Sequence, residues 1–141
     1  MRAILLFLSI ALAAISAADY PTVEPKDLTS QLAKGSKPAI FQVGPNVLYR
    51  SKHIPGAVFA GPGSQPEGLE ILKSSVAKLP RSHAIVIYCG CCPWDKCPNI
   101  KPAFDLLKSM GFTHVTAMHV PTNFKIDWID LGYPVEGNSV N

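Results

Sequence analysis

The stretch Ala84 to Tyr88 reads Ala-Ile-Val-Ile-Tyr, apolar at every position. Successive side chains of a strand point to opposite faces, so a strand without polar alternates needs cover on both. Such a strand belongs at the centre of a parallel sheet with helices above and below. The flanking sequence supplies the rest. Pro25 to Lys34 predicts a short helix, with Leu28 and Leu32 one turn apart and Gly35 at the stop. Pro38 to Val43 predicts a buried strand, and Ala57 to Ala60 a shorter one. Leu69, Leu72, Val76 and Leu79 share one helical face, so a helix is expected over Pro66 to Leu79. Ala103, Leu106, Leu107 and Met110 repeat that spacing before Gly111, and His114 to His119 predicts another strand. Phe124, Trp128 and Leu131 mark a last helix, closed by Gly132. Asp19 to Glu24 is expected as an extended lead-in, and Gly44 to Pro55 as irregular. Strands and helices alternate, which implies an α/β three-layer sandwich built on a mainly parallel sheet.

Composition narrows the class. Apolar residues make up 48% of the chain and charged residues 16%, which excludes a disordered chain. The 13 prolines favour short elements and fixed turns. A formal net charge of +3, scattered along the chain, gives no footprint for nucleic acid. Residues 1–18 have the outline of a secretory signal: Arg2, an apolar run to Ile15, then small residues to Ala18. That run is too short to span a bilayer, so no stable membrane anchor is expected. The domain is expected over 19–135, exported to a periplasm or to the medium, with a loose polar tail over 136–141.

All four cysteines fall in one segment, Cys89-Gly-Cys-Cys-Pro-Trp-Asp-Lys-Cys97. Structural disulfides are one reading, since the number is even and export favours oxidation. The loops they would close are short, which limits their stabilising effect. A second reading starts from Cys89 directly after the central strand, with a helix beginning about ten residues on. Loop amides and a helix N-terminus stabilise an anion there, and a thiolate is one. That would depress the Cys89 pKa and make it a nucleophile. Gly90 to Asn99 would form the cradle, with Asn99 as helix N-cap and Lys96 and Lys101 adding positive charge. Trp94 shapes or covers the loop. Cys91, Cys92 and Cys97 are candidate resolving or redox thiols, with Cys92–Cys97 the easiest disulfide to close. His119 is an accessory candidate at a strand end.

The same residues admit other chemistries. Phosphatase and arsenate-reductase loops grip an oxyanion with arginine, and no arginine follows Cys89. Thiol–disulfide exchange remains open, since Cys89 to Cys92 has the CxxC spacing. A soft-metal site is a third class. Yet Cys-x-Cys-Cys-x4-Cys is not a standard ligand spacing and neighbouring ligands at 91 and 92 are awkward, so no metal is assigned.

Several of these segments resemble one family. His53-Ile-Pro-Gly-Ala57 is similar to the signature turn of rhodanese-like domains, and Val86-Ile-Tyr-Cys89 to the strand that delivers their cysteine. Val23 to Leu28, Pro38 to Val43, Lys108 to Phe112 and the Trp128 helix fit the same pattern, over roughly Val23 to Val135. The resemblance implies a sheet of about five parallel strands and sulfurtransferase chemistry. Cys89 would take a sulfane sulfur from a small donor such as thiosulfate and pass it to a thiol acceptor. No organic cofactor is implied, and outside the cytoplasm a reducing dithiol protein is an expected partner. In the family the signature histidine mainly shapes a turn. There are also departures. Gln42-Val43-Gly44 stands where the family usually has Asp-Val-Arg, Lys52 replaces a glycine, and the cysteine loop is longer and carries three additional cysteines.

Overall fold

The computed structural model describes residues 20–137. The expected signal, 1–18, and residues 138–141 of the expected tail lie outside them. In chain order the elements are β1 (Thr22–Val23), α1 (Pro25–Ala33), β2 (Ala39–Gln42), α2 (Asn46–Ser51), β3 (Val58–Phe59), α3 (Pro66–Val76), β4 (Ile85–Tyr88), a 3-10 turn (Trp94–Lys96), α4 (Ile100–Ser109), β5 (Val115–Met118) and a π-helical turn (Lys125–Ile129). The strands form one five-stranded sheet in the order β1-β5-β4-β2-β3, every pair parallel. No described helix is long and apolar enough to cross a membrane.

β4 is central, as its composition requires. Val86 pairs with Ile40 of β2 on one side and Thr116 of β5 on the other. Its residues alternate between two cores. Ile85 and Ile87 pack with Leu72 and Val76 of α3 and Ala103 and Leu107 of α4. Val86 and Tyr88 pack with Leu28 of α1, Ile54 and Trp128. Each such side chain contributes on the order of 1.5–3 kcal/mol on full burial. The alternation also decides where the next residue goes: Cys89, one step beyond Tyr88, falls on the α3/α4 side.

The structure departs from the sequence expectations where no apolar period exists to read. Gly44 to Pro55 is not irregular throughout, because α2 forms within it; none of its six residues is buried, and Val47 is largely exposed. The lead-in is an edge strand, Thr22 and Val23 pairing with Ala117 and Met118. The first of the two α3/α4-side helices stops at Val76, short of Leu79. The last helix is a single π-helical turn, and Leu131, expected on its apolar face, is exposed. Glu136 is not part of a loose tail: its backbone exchanges hydrogen bonds with His53, at 2.8 and 2.9 Å.

Candidate functional site

The thiol loop leaves the carboxyl end of β4, where parallel sheets present their ligand sites. Two glycines shape its start. Gly90 has φ of 77°, and a Cβ there would come within 2.5 Å of the Phe124 Cβ. Gly44, following β2, lies against the sulfur itself: a Cβ would sit 2.9 Å from Cys89 Sγ. The loop then crosses to β5, where the Trp94 amide donates to Pro121 O, and the Trp94 ring meets Tyr20 and His119 edge-on. It ends at Cys97, in front of α4.

These turns bring the sulfurs together. Cys91 Sγ is 3.1 Å from Cys89 Sγ and 3.0 Å from Cys92 Sγ. The sulfurs of Cys89, Cys91 and Cys97 all lie within 4.8 Å of one another. All four cysteines are free thiols. Cys89 is buried, and the other three are partly exposed.

Asn99 organises the cluster. It occupies the N-cap position of α4, but the expected cap is absent: its side chain makes no bond to the helix amides. Instead Oδ1 accepts from the Ser64 amide at 3.0 Å, and Nδ2 donates to Cys89 Sγ at 3.2 Å and Cys91 Sγ at 3.7 Å. Asn99 is buried, so all its polar capacity is spent inside the site. Gln42 is buried beside it, with Nε2 3.4 Å from the Cys89 carbonyl oxygen and Oε1 without a partner.

The electrostatics favour a thiolate at Cys97 rather than at Cys89. The Cys97 thiol is pushed down to about 6, first by the nearby Cys89 thiol and then by the Asn99 and Ile100 backbone amides, against the opposing effect of burial. The Cys89 thiol is pushed up, first by the nearby Cys97 sulfur, which favours the protonated form of Cys89, and then by burial. Cys92 is pushed up to about 12, by burial and by sharing a proton with Cys91. The expected depression of the Cys89 pKa is therefore overturned. The amides at the start of α4 lie close in sequence to the last cysteine of the loop, which precedes that helix by three residues.

The remaining candidates divide. Neither lysine of the expected cradle reaches a sulfur: Lys101 pairs with Asp105 on the outside of α4, and Lys96 is exposed on the 3-10 turn. His119 supports the loop from outside, with Nδ1 2.8 Å from Glu24 Oε1 and its ring against Trp94. His53 belongs to a turn, stacked on Tyr49 and bonded to the Tyr49 carbonyl. Sequence reasoning missed Ser64, which joins only through its amide, and the contact of Gly44 with Cys89. It treated Lys52 as a departure only; Lys52 lines a cleft of about 530 Å³ together with Ser51, Cys91, Phe124 and Lys125. Cys89 does not line that cleft. It borders a smaller pocket, shared with Cys92, Cys97, Trp94 and Met118, that admits no water. A larger cleft, about 740 Å³, opens at the other end of the sheet beside Pro38, Ala84 and His114, where no thiol lies.

No family model and no curated protein matches the sequence. Solved structures do match. The rhodanese-like domain of a protein from Anabaena sp. is 25% identical, covers 84% of this chain and 80% of its own, and superposes with a TM-score of 0.63. The chain folds as a rhodanese-like domain. A rhodanese-like domain protein from Staphylococcus aureus is 16% identical over 85% of this chain and 100% of its own, TM-score 0.59. A thiosulfate sulfurtransferase from Pseudomonas aeruginosa is 19% identical over 84% of this chain but only 20% of its own, TM-score 0.61. These last two likenesses carry the fold alone. The resemblance drawn from His53–Ala57 and Val86–Cys89, and the five-stranded parallel sheet it implied, thus hold. Within that rhodanese-like frame the loop after the central strand carries a cluster of four thiols.

Proposed function

We propose that this rhodanese-like domain is an exported sulfur carrier of the sulfurtransferase kind, with Cys89 as the persulfide-forming residue. The observation that supports it most is the place of Cys89: at the carboxyl end of the central strand, with a second thiol 3.1 Å away. A donor such as thiosulfate docks in the cleft lined by Gly90, Cys91 and Lys52, and the thiol loop shifts to expose Cys89, which does not line that cleft, to its sulfane sulfur. The Cys89 sulfur bonds to the sulfane sulfur, and its proton leaves with the departing sulfite. The sulfane–sulfonate bond breaks and sulfite leaves. The persulfide then has two exits. An external thiolate attacks the outer sulfur and carries it away, regenerating Cys89. Alternatively, Cys91 attacks the inner sulfur, forming a Cys89–Cys91 disulfide and expelling hydrosulfide. In that route two thiols are oxidised and the sulfane sulfur is reduced by two electrons, so a partner dithiol protein must reset the pair.

The spacing of 3.1 Å is within the range from which thiol exchange proceeds without rearrangement. The test is intact-mass measurement of the reduced protein after thiosulfate, beside Cys89→Ser. A gain of one sulfur atom that the variant loses is the expected result. A loss of two hydrogens with no sulfur retained and no sulfide released would instead favour plain thiol–disulfide exchange.

A further inference from the structure

The cysteine loop has a property that sulfur transfer does not require. Three sulfurs from different points of the loop converge, those of Cys89, Cys91 and Cys97, all within 4.8 Å of one another. A metal ion bonded to three thiolates at about 2.3 Å in one plane holds them about 4 Å apart. The 3.1 Å between Cys89 and Cys91 lies below that value and the 4.8 Å limit above it, so small side-chain shifts suffice.

Two of the three sulfurs also receive an N–H donor from one side chain outside the set: Asn99 Nδ2 serves Cys89 at 3.2 Å and Cys91 at 3.7 Å. Donors of this kind orient metal-bound ligands and offset the negative charge that several thiolates accumulate around one ion. The Asn99 amide is in turn fixed by the Ser64 amide at its other end. Beside the sulfurs is the water-excluding pocket, to which Trp94, Val120 and the Met118 thioether contribute. Cys92 touches Cys91 but stands outside the set of three. This removes the difficulty of adjacent ligands, since only Cys91 of the neighbouring pair is needed.

We propose that Cys89, Cys91 and Cys97 form a closed three-thiolate site for a soft monovalent d10 cation, Cu(I). Zinc in protein sites takes four ligands or keeps a water, whereas three sulfurs converge here beside a pocket that admits no water. The site does not depend on the sulfur-carrier reading. It uses the same thiols, so an occupied site and a persulfide exclude each other.

The test is anaerobic titration of the reduced, full chain with Cu(I) against a chromophoric Cu(I) chelator, bathocuproine disulfonate. One equivalent retained against the chelator is expected, with X-ray absorption showing three sulfur neighbours. Cys91→Ser is expected to lose retention by 100-fold or more, while Cys92→Ser stays within a few-fold of the parent. Asn99→Ser should weaken binding by about 10–100-fold, the usual effect of removing an outer partner. The X-ray measurement needs no variant, so misfolding of Cys91→Ser leaves the test intact. Loss of copper from the parent chain to the chelator overturns the site. So do several ions per chain, equal damage from Cys91→Ser and Cys92→Ser, or displacement of Cu(I) by equimolar Zn²⁺. A failed titration leaves the thiosulfate mass result standing, because that experiment uses metal-free protein.

Discussion

Two segments flank the same strand end and are held in opposite ways. The His53–Ala57 turn is tied to groups that do no chemistry. His53 exchanges backbone bonds with Glu136, Gly56 N donates to Glu136 Oε1 at 2.7 Å, and Ile54 N donates to the Tyr88 hydroxyl at 3.2 Å. The Cys89–Cys97 loop has backbone bonds as well, Lys96 N to Pro93 O at 2.9 Å and Trp94 N to Pro121 O at 3.3 Å. Its side-chain bonds, however, end on sulfur, from Asn99 Nδ2 or from one thiol to the next. The turn resists change because its partners are backbone and carboxylate. The loop's partners are thiols, whose bonding changes with their protonation. A family signature can therefore survive in the turn while the loop diverges.

The contrast is broken most severely by pH. Cys97 is pushed down to about 6 and Cys92 up to about 12, so Cys97 is the favoured thiolate at pH 7. Iodoacetamide footprinting of the metal-free protein should label Cys97 first at pH 7. The labelling rate should fall as pH drops through about 6, because protonation removes the nucleophile. Cys92 labelling ahead of Cys97 would show that the amides of α4 do not govern the loop.

Next in size is Gly90→Ala. The substitution forces an alanine to φ of 77° and drives its Cβ to within 2.5 Å of Phe124. Left-handed strain and overpacking together should cost about 2–5 kcal/mol, read from urea unfolding. An unchanged midpoint would mean that Phe124 yields freely. Asn99→Ala should cost about 1 kcal/mol, since it removes the part-buried bond from the Ser64 amide. It should also slow persulfide formation on Cys89, whereas an Asn99→Ala protein with normal sulfur uptake would remove Asn99 from the site. The smallest effect belongs to the turn. Glu136→Gln keeps the backbone pairing with His53 and alters a carboxylate that is 52% exposed, so no more than about 1 kcal/mol is expected. Thiol labelling rates should not move with it, and a change would show that the two segments are coupled through Tyr88.

The central strand was legible because burial on both faces leaves a plain mark, five apolar residues in a row. The same logic put Cys89 at the strand's end. α2 left no such mark, since none of its residues is buried. The π-helical turn was read as an ordinary helix because Phe124 and Trp128 are core residues at one-turn spacing. Within the site, the cluster of sulfurs was expected but their roles were not. The cradle was assigned to the cysteine after the strand, while the amides that matter belong to the helix eleven residues further on, next to Cys97. Asn99 was recognised as important for the wrong reason: a side chain at an N-cap position either bonds the helix or turns away, and the choice depends on the Ser64 loop, distant in sequence.

Because Cys91 already touches two other sulfurs, making or breaking a bond among these thiols moves very few atoms. The rest of the molecule need not reshape itself to accommodate either state. Such a loop works as a reagent rather than as a lever: a partner would recognise its state by reacting with it, not by sensing a change of shape.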